Sequence, residues 1–366
     1  MPGKDLTHPC MDCKDAESLL TVRKRQLCRD CFVRFIGSKV NRHMANYPRP
    51  QNLEDPLPKL LLPLSFGVSS SSLLRQLDAD LQRQLNKPRP RKHYDLHILV
   101  VDPLTTPYDK NYEAVQKAFP MHTYSRVPFH SVFEYVPEMQ DLMREYAGPQ
   151  FADDPSRPEQ DRLAAFRAAI TTATSQADVD SVLLTRLVVG FAQKAGCEAV
   201  LWGDSDSRLA AKTLAEVAKG RGAALTWRAS DGMSPWGLRF EYPLRDWSKA
   251  ELQQYEQACP ELADIVVPDE PPSDNVLTKN LSIDDLMMRY VLTQGEKYPG
   301  VMANVSRTAN KLQAYSSDGT PSCALCGNII GNVKGNTGLT VSSQSGEKQD
   351  TQFCYGCMRS RPDSIS

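Results

Sequence analysis

The sequence predicts an α/β protein, a parallel sheet with helices on both faces, with a small four-cysteine metal module at each end of the chain. Three observations predict it. Strand-like and helical apolar patterns alternate between Leu60 and Pro243; one run, HILVVD at 97–102, is almost unbroken in its apolar character; and eight of the ten cysteines fall into four C-x-x-C pairs near the termini.

The cysteines come first along the chain. Fourteen residues separate Cys10/Cys13 from Cys28/Cys31, and twenty-seven, rich in Gly, Ser and Asn, separate Cys323/Cys326 from Cys354/Cys357. Such close pairs strain as disulfides but suit two ligands of one tetrahedral ion. Zinc is the expected ion, in two structural sites. An iron–sulfur cluster uses the same four thiolates, so spacing leaves it open as the alternative. Closed sets of this kind build structure and keep no position free for catalysis. Basic residues interleave with the first set, and residues 1–50 carry ten Lys or Arg against five Asp or Glu. Such a ribbon either solubilises the module or grips phosphate backbones without sequence choice; Arg23, Lys24, Arg25, Arg29 and Arg34 are the candidate phosphate-contacting residues.

The whole chain sets bounds. Its 366 residues, 41% of them hydrophobic, allow two or three domains with a substantial core, and a net charge of -1 argues against a non-specific coat on nucleic acid. The start MPGKDLTHPC lacks the pattern of a secretory signal, and the longest apolar run is broken by Pro58 and Pro63. A cytoplasmic protein with reduced thiols and no membrane segment is expected. Proline-rich stretches at 46–58, 148–161, 267–275 and 316–322 read as linkers or surface loops. The predicted domains are a metal module over 1–50, an α/β domain over 58–315 and a second metal module over 316–366.

Inside the α/β domain, LLLPLS is the first strand and the Leu73, Leu74, Leu77, Leu81 stripe the first helix. The run HILVVD is a strand buried on both faces, followed by a helix at about 109–118. DSVLLTRLVVGFAQKAG (180–196) puts Val182, Leu183, Leu187 and Phe191 on one helical face; EAVLWGDSD is a strand ending in a polar loop; RLAAKTLAEVAKG is a helix stopped by Gly220 and Gly222. Ser248 with Glu251 reads as a capping box, and a second helix is expected from Ser282 to Gly295. Cys197 and Cys259 are expected to be buried, inert thiols. No role follows for His122 or His130.

Strand, polar loop, helix is the layout of a phosphate cradle at 62–77, and the crevice of such a sheet lies at the carboxyl ends of its strands. The loop resembles that of the PP-loop ATPases, which carry S-G-G-x-D-S where this chain has Ser65, Phe66, Gly67, Val68, Ser69 and Ser70. Phe66 stands in place of a glycine and Ser69 in place of the aspartate. A second family motif, G-H-N-x-D-D, reads here as Gly203, Asp204, Ser205, Asp206, Ser207 and Arg208, and the C-x-x-C of catalytic thiolases is missing from DSVLLTRLVV.

Together with the cysteine pairs at both ends, the pattern resembles the cytoplasmic tRNA 2-thiolation protein 2 family, the non-catalytic paralogue of a PP-loop tRNA thiolase. The resemblance implies a PP-loop (adenine nucleotide alpha hydrolase-like) fold and a heterodimer with a catalytic PP-loop subunit. It also implies 2-thiolation of wobble uridine in tRNA, with sulfur from a thiocarboxylated ubiquitin-related modifier. It implies no catalytic residue in this chain, a degenerate nucleotide loop at Ser65, Gly67, Ser69, Ser70 and Gly203, and ATP left unbound. The alternatives are an ATP-dependent tRNA sulfurtransferase with a divergent loop, and a zinc-bearing module that recruits other proteins.

Overall fold

The structure is a computed structural model that describes residues 7–45, 47, 52, 55–104, 108–268, 281–312, 321–330 and 353–362. Most of the proline-rich stretches at 46–58, 267–275 and 316–322, and most of the insert between Cys326 and Cys354, lie outside them. In chain order the first elements are β1 (Leu20–Val22), β2 (Arg25–Leu27), α1 (Arg29–Met44), β3 (Lys59–Pro63), α2 (Val68–Leu85), β4 (Asp95–Asp102), α3 (Asp109–Ala118) and β5 (Thr123–Pro128). Next come α4 (Val132–Tyr135), α5 (Met139–Ala147), α6 (Glu159–Ala168), α7 (Ala173–Lys194), β6 (Ala199–Leu201), α8 (Asp206–Ala218) and α9 (Leu225–Arg228). The chain ends with β7 (Gly232–Met233), β8 (Arg239–Glu241), α10 (Lys249–Gln257), α11 (Ile283–Lys297), α12 (Pro299–Ala309) and α13 (Tyr355–Arg359). Two compact units result: Met1–Val127 with Cys197–Leu209 and Glu241–Pro271, and Pro128–Gly196 with Ala210–Phe240 and Pro272–Ser366.

The first unit holds the strands β5, β4, β3 and β6, side by side in that order. β3 is parallel to both neighbours, with Leu60 opposite Leu96 on one side and Ala199 on the other. Side chains alternate between faces. Leu60, Leu62, Leu96, Ile98, Val100, Ala199 and Leu201 enter one core with Phe32 and Ile36 of α1, Leu73 and Leu77 of α2, and Leu252 and Tyr255 of α10. Leu61, Leu99 and Val200 are buried as well, so these strands are covered on both faces, as the apolar run HILVVD predicts. The chain steps from β3 outward to β5 and then returns to the other side of β3, so the strand order reverses between β3 and β6. A crevice opens at the carboxyl ends of strands at such a point.

In the second unit α7 begins at Ala173, earlier than the expected 180, because the Thr172 side chain accepts a hydrogen bond from the Ser175 amide and caps the helix there. The helix opened by Ser282 runs through Gly295 to Lys297 and ends only before Pro299. A mid-helix glycine costs about 1 kcal/mol against alanine; here tertiary contacts override it, as α11 and α12 pack Val291 and Met302 against Ala210 and Ala211. β7 and β8 are antiparallel, Gly232 opposite Phe240, where the sequence predicts parallel strands alone. Among the described residues no helix is long and apolar enough to cross a membrane.

Candidate metal centres and the phosphate loop

The N-terminal cysteines are gathered by short local turns. Cys10 and Cys13 sit in a turn closed by the Lys14 amide on the Cys10 carbonyl at 3.0 Å. Arg23 and Lys24, both at positive φ, join β1 to β2, and Cys28 starts α1 so that Cys31 falls in its first turn. All four sulfurs lie within 4.8 Å of one another, with Cys13 and Cys28 at 3.8 Å. A tetrahedral ion with metal–sulfur bonds of about 2.3 Å needs sulfurs about 3.8 Å apart, so the set fits one. Burial pushes the Cys31 thiol up to about 12, which disfavours a bare thiolate and leaves its deprotonation to a bound cation.

The five candidate basic residues around this set differ in what they touch. Arg23 donates to Glu251 at 3.0 Å and lies 4.7 Å from the Trp247 ring centre. Arg25 pairs with Asp12 and stacks on Phe35; Arg29 donates to the Ala258 carbonyl at 2.6 Å. Arg34 is exposed and reaches Cys31 Sγ at 3.5 Å, and Lys24 is exposed at the hairpin tip. Side chains already committed to carboxylates, carbonyls and rings inside the unit are partly withdrawn from an external phosphate.

The C-terminal set is more deeply enclosed. Cys323, Cys326, Cys354 and Cys357 are all buried, their sulfurs within 4.8 Å and Cys326 and Cys354 at 3.5 Å. The Gly327 amide donates to the Cys323 carbonyl at 2.8 Å, and Cys354 precedes α13, which carries Cys357. Hydrogen bonds from the other three thiols hold Cys354 well below the usual thiol range, while Cys323, Cys326 and Cys354 push Cys357 up. Four sulfurs so close cannot all ionise unaided, and a divalent cation removes that conflict.

The phosphate-loop residues are also brought together. The Ser65 and Ser70 hydroxyls are 3.1 Å apart, Gly67 precedes α2, and a Cβ on Gly203 would stand 2.6 Å from Ser70 Cα, so the loops after β3 and β6 are in close contact. Phe66 adopts φ 56, the left-handed conformation that a glycine takes without strain. Its ring is wholly buried, edge-on to Tyr108 at 5.1 Å, and its carbonyl accepts the Val267 amide at 2.8 Å. Asp102, at the end of β4, accepts from Arg126 at 2.9 Å, and Arg126 also pairs with Asp109 at 2.8 Å. Side chains and backbone of this unit thus occupy the loop's neighbourhood.

Cys197 and Cys259 are buried, and burial raises each to about 11, as expected of inert thiols. His122, given no role from the sequence, lies 3.0 Å from Asp78. Sequence reasoning missed Val267 and Tyr108 beside the loop, and Arg221 with Asp178 beside the C-terminal cysteines. Those contacts join residues far apart in the chain, and no local spacing signals them.

A family model described as cytoplasmic tRNA 2-thiolation protein 2 matches residues 282–359. A protein of that name from Aspergillus clavatus is 54% identical over 99% of this chain and 99% of its own. One from Aspergillus oryzae is 50% identical over the full length of both, and one from Ajellomyces capsulatus 46% identical over 90% of this chain and 94% of its own. Among solved structures, the U34-tRNA thiolase NcsA of Methanococcus maripaludis with its 4Fe-4S cluster superposes with a TM-score of 0.56 at 14% identity, covering 88% of this chain and 92% of that one. At that identity the likeness concerns the fold, which is the PP-loop fold.

Proposed function

Since the chain belongs to the cytoplasmic tRNA 2-thiolation protein 2 family, we propose that it is the non-catalytic subunit of a cytoplasmic heterodimer that thiolates the 2-position of wobble uridine in tRNA. In this reading a catalytic PP-loop partner adenylates the uracil oxygen, and sulfur from a thiocarboxylated ubiquitin-related modifier displaces AMP. This chain supplies scaffold, docking surface and part of the tRNA grip. Each four-cysteine set holds a structural zinc that keeps its module folded. Lys24 and Arg34, less engaged within their own unit than Arg23 or Arg25, are the stronger of the five basic candidates for phosphate contact.

One observation carries the non-catalytic assignment. Where the PP-loop family places glycine and aspartate, this chain has a buried Phe66 ring, a carbonyl already bonded to Val267, and Ser69 without a carboxylate. A phosphate cradle works through backbone amides and a metal-binding carboxylate, and both features are compromised here.

Calorimetry with magnesium-ATP on the chain alone and on the chain bound to a catalytic thiolase subunit tests this. Heat only with the pair, and no pyrophosphate released from ATP and tRNA by the single chain, is the expected result. Micromolar binding by the single chain would overturn it in favour of the divergent sulfurtransferase, for which the Ser65 and Ser70 hydroxyls remain.

A further inference from the structure

The two four-cysteine sets differ in what lies behind them. Behind the N-terminal set the contact is Arg34, an exposed side chain, and Cys13 is only half-buried. Behind the C-terminal set is Arg221, 1% exposed, which holds both carboxylate oxygens of Asp178 and also donates from Nη2 to Cys357 Sγ at 3.3 Å. Asp178 is fixed in turn: the Ser360 hydroxyl donates to it at 2.8 Å and Lys219 Nζ lies 3.1 Å away. Lys219 also reaches Glu216 at 3.3 Å and Asp284 at 3.0 Å.

The backbone is shaped around this group. Gly220, at φ +76, ends the α8 segment next to Tyr355, and a Cβ on Gly356 would lie 2.7 Å from the Lys219 carbonyl and 2.8 Å from Arg221 Cγ. Only a glycine lets α13, with Cys357, settle on Arg221. A tetrathiolate around a divalent ion keeps two net negative charges, which a buried site must offset. A guanidinium donating N–H to a thiolate does so, and partners of this kind both orient a ligand and strengthen its hold on metal.

We infer that Arg221, clamped by Asp178, is a positioning residue for the Cys357 thiolate and makes the C-terminal set the slower of the two to release its metal. The inference rests on the reading that both sets hold metal, so metal bound per chain is measured first, by plasma mass spectrometry of the full-length protein. The chain is then exposed to EDTA and iodoacetamide for timed intervals, and alkylated cysteines are mapped by peptide mass spectrometry.

In the unsubstituted chain, peptides carrying Cys10, Cys13, Cys28 and Cys31 should be labelled before those carrying Cys323, Cys326, Cys354 and Cys357. Arg221→Gln should speed labelling of the C-terminal set by about 10–100-fold, the usual effect of losing such a partner, and leave the N-terminal set unchanged. Arg221→Lys keeps a cation without the fork that spans Asp178 and sulfur, and should fall between. Absence of metal from the unsubstituted chain would remove the metal reading itself. Metal present with unchanged C-terminal labelling in Arg221→Gln, or equal acceleration at both sets, would overturn the inference. Should Arg221→Gln fail to fold, Ser360→Ala removes a hydroxyl that lies 2.8 Å from Asp178 and 3.2 Å from the Gly356 carbonyl while leaving Arg221 in place: a few-fold acceleration confined to the C-terminal set supports the inference, and no change refutes it.

Discussion

Phe66 shows how a single residue can keep a family's backbone path and change what surrounds it. A left-handed backbone costs a non-glycine residue about 1–2 kcal/mol, and full burial of the ring offsets that strain. Phe66→Gly therefore relieves the strain but removes a packed ring whose loss costs about 3–5 kcal/mol. A net loss near 2 kcal/mol is expected in urea unfolding, with no gain of magnesium-ATP binding, since Ser69 still lacks the carboxylate. An unchanged midpoint together with new ATP binding would show that the aromatic ring alone had closed the loop. Gly203 is constrained from the other side. A methyl group there meets Ser70 Cα at 2.6 Å, backbone that cannot swing away, so Gly203→Ala should cost about 1–3 kcal/mol through overpacking. A mutant as stable as the parent would mean that the loops after β3 and β6 separate freely.

At the scale of elements, local chemistry predicts best where one short stretch contains both partners. Ser248 accepts from the Glu251 amide at 3.2 Å and Glu251 accepts from the Ser248 amide at 2.9 Å, the reciprocal cap that the sequence announces for α10. Ser248→Ala should cost about 1 kcal/mol, read as a shift of the urea midpoint without a change of slope; a shift near zero would mean that Leu252 and Tyr255 alone hold the helix in the core. The same locality made legible both cysteine sets, the β3 and β4 strands and the start of α11. Where a partner lies far along the chain, legibility fails. Gly295 looks like a stop but is carried through by packing around Met302, and β7 with β8 are too short for a period-two signal. Phe66 was legible as a departure from a motif; Val267, 201 residues further on, was not (267 − 66).

For the whole molecule, the N-terminal module is part of a unit's interior. Phe32, Ile36 and Val40 of α1 are wholly buried in the same core as Leu60, Leu73 and Trp247, so the helix that carries Cys31 also covers the sheet unit. Removing it would bare those apolar surfaces, at roughly 1.5–3 kcal/mol for each large side chain returned to water. For Leu60, Leu73 and Trp247 together that is about 4.5–9 kcal/mol, comparable with the whole of what a domain holds in reserve, about 5–15 kcal/mol. A chain beginning at Asp55 should consequently be insoluble or melt far below the full-length protein. Cys28→Ser together with Cys31→Ser, which spares α1 but removes two ligands, should lower the melting temperature less and abolish its dependence on chelator at the N-terminal set. Both are read by thermal melts with and without EDTA. A truncated chain that stays soluble and melts like the parent would show that the sheet carries its own core and that the metal module is an appendage. The predicted order, truncation worse than ligand loss and ligand loss worse than the unsubstituted chain, follows from packing first and metal second: an ion held by the four cysteines would fix how α1 starts, and the apolar face of α1 fixes where it lies.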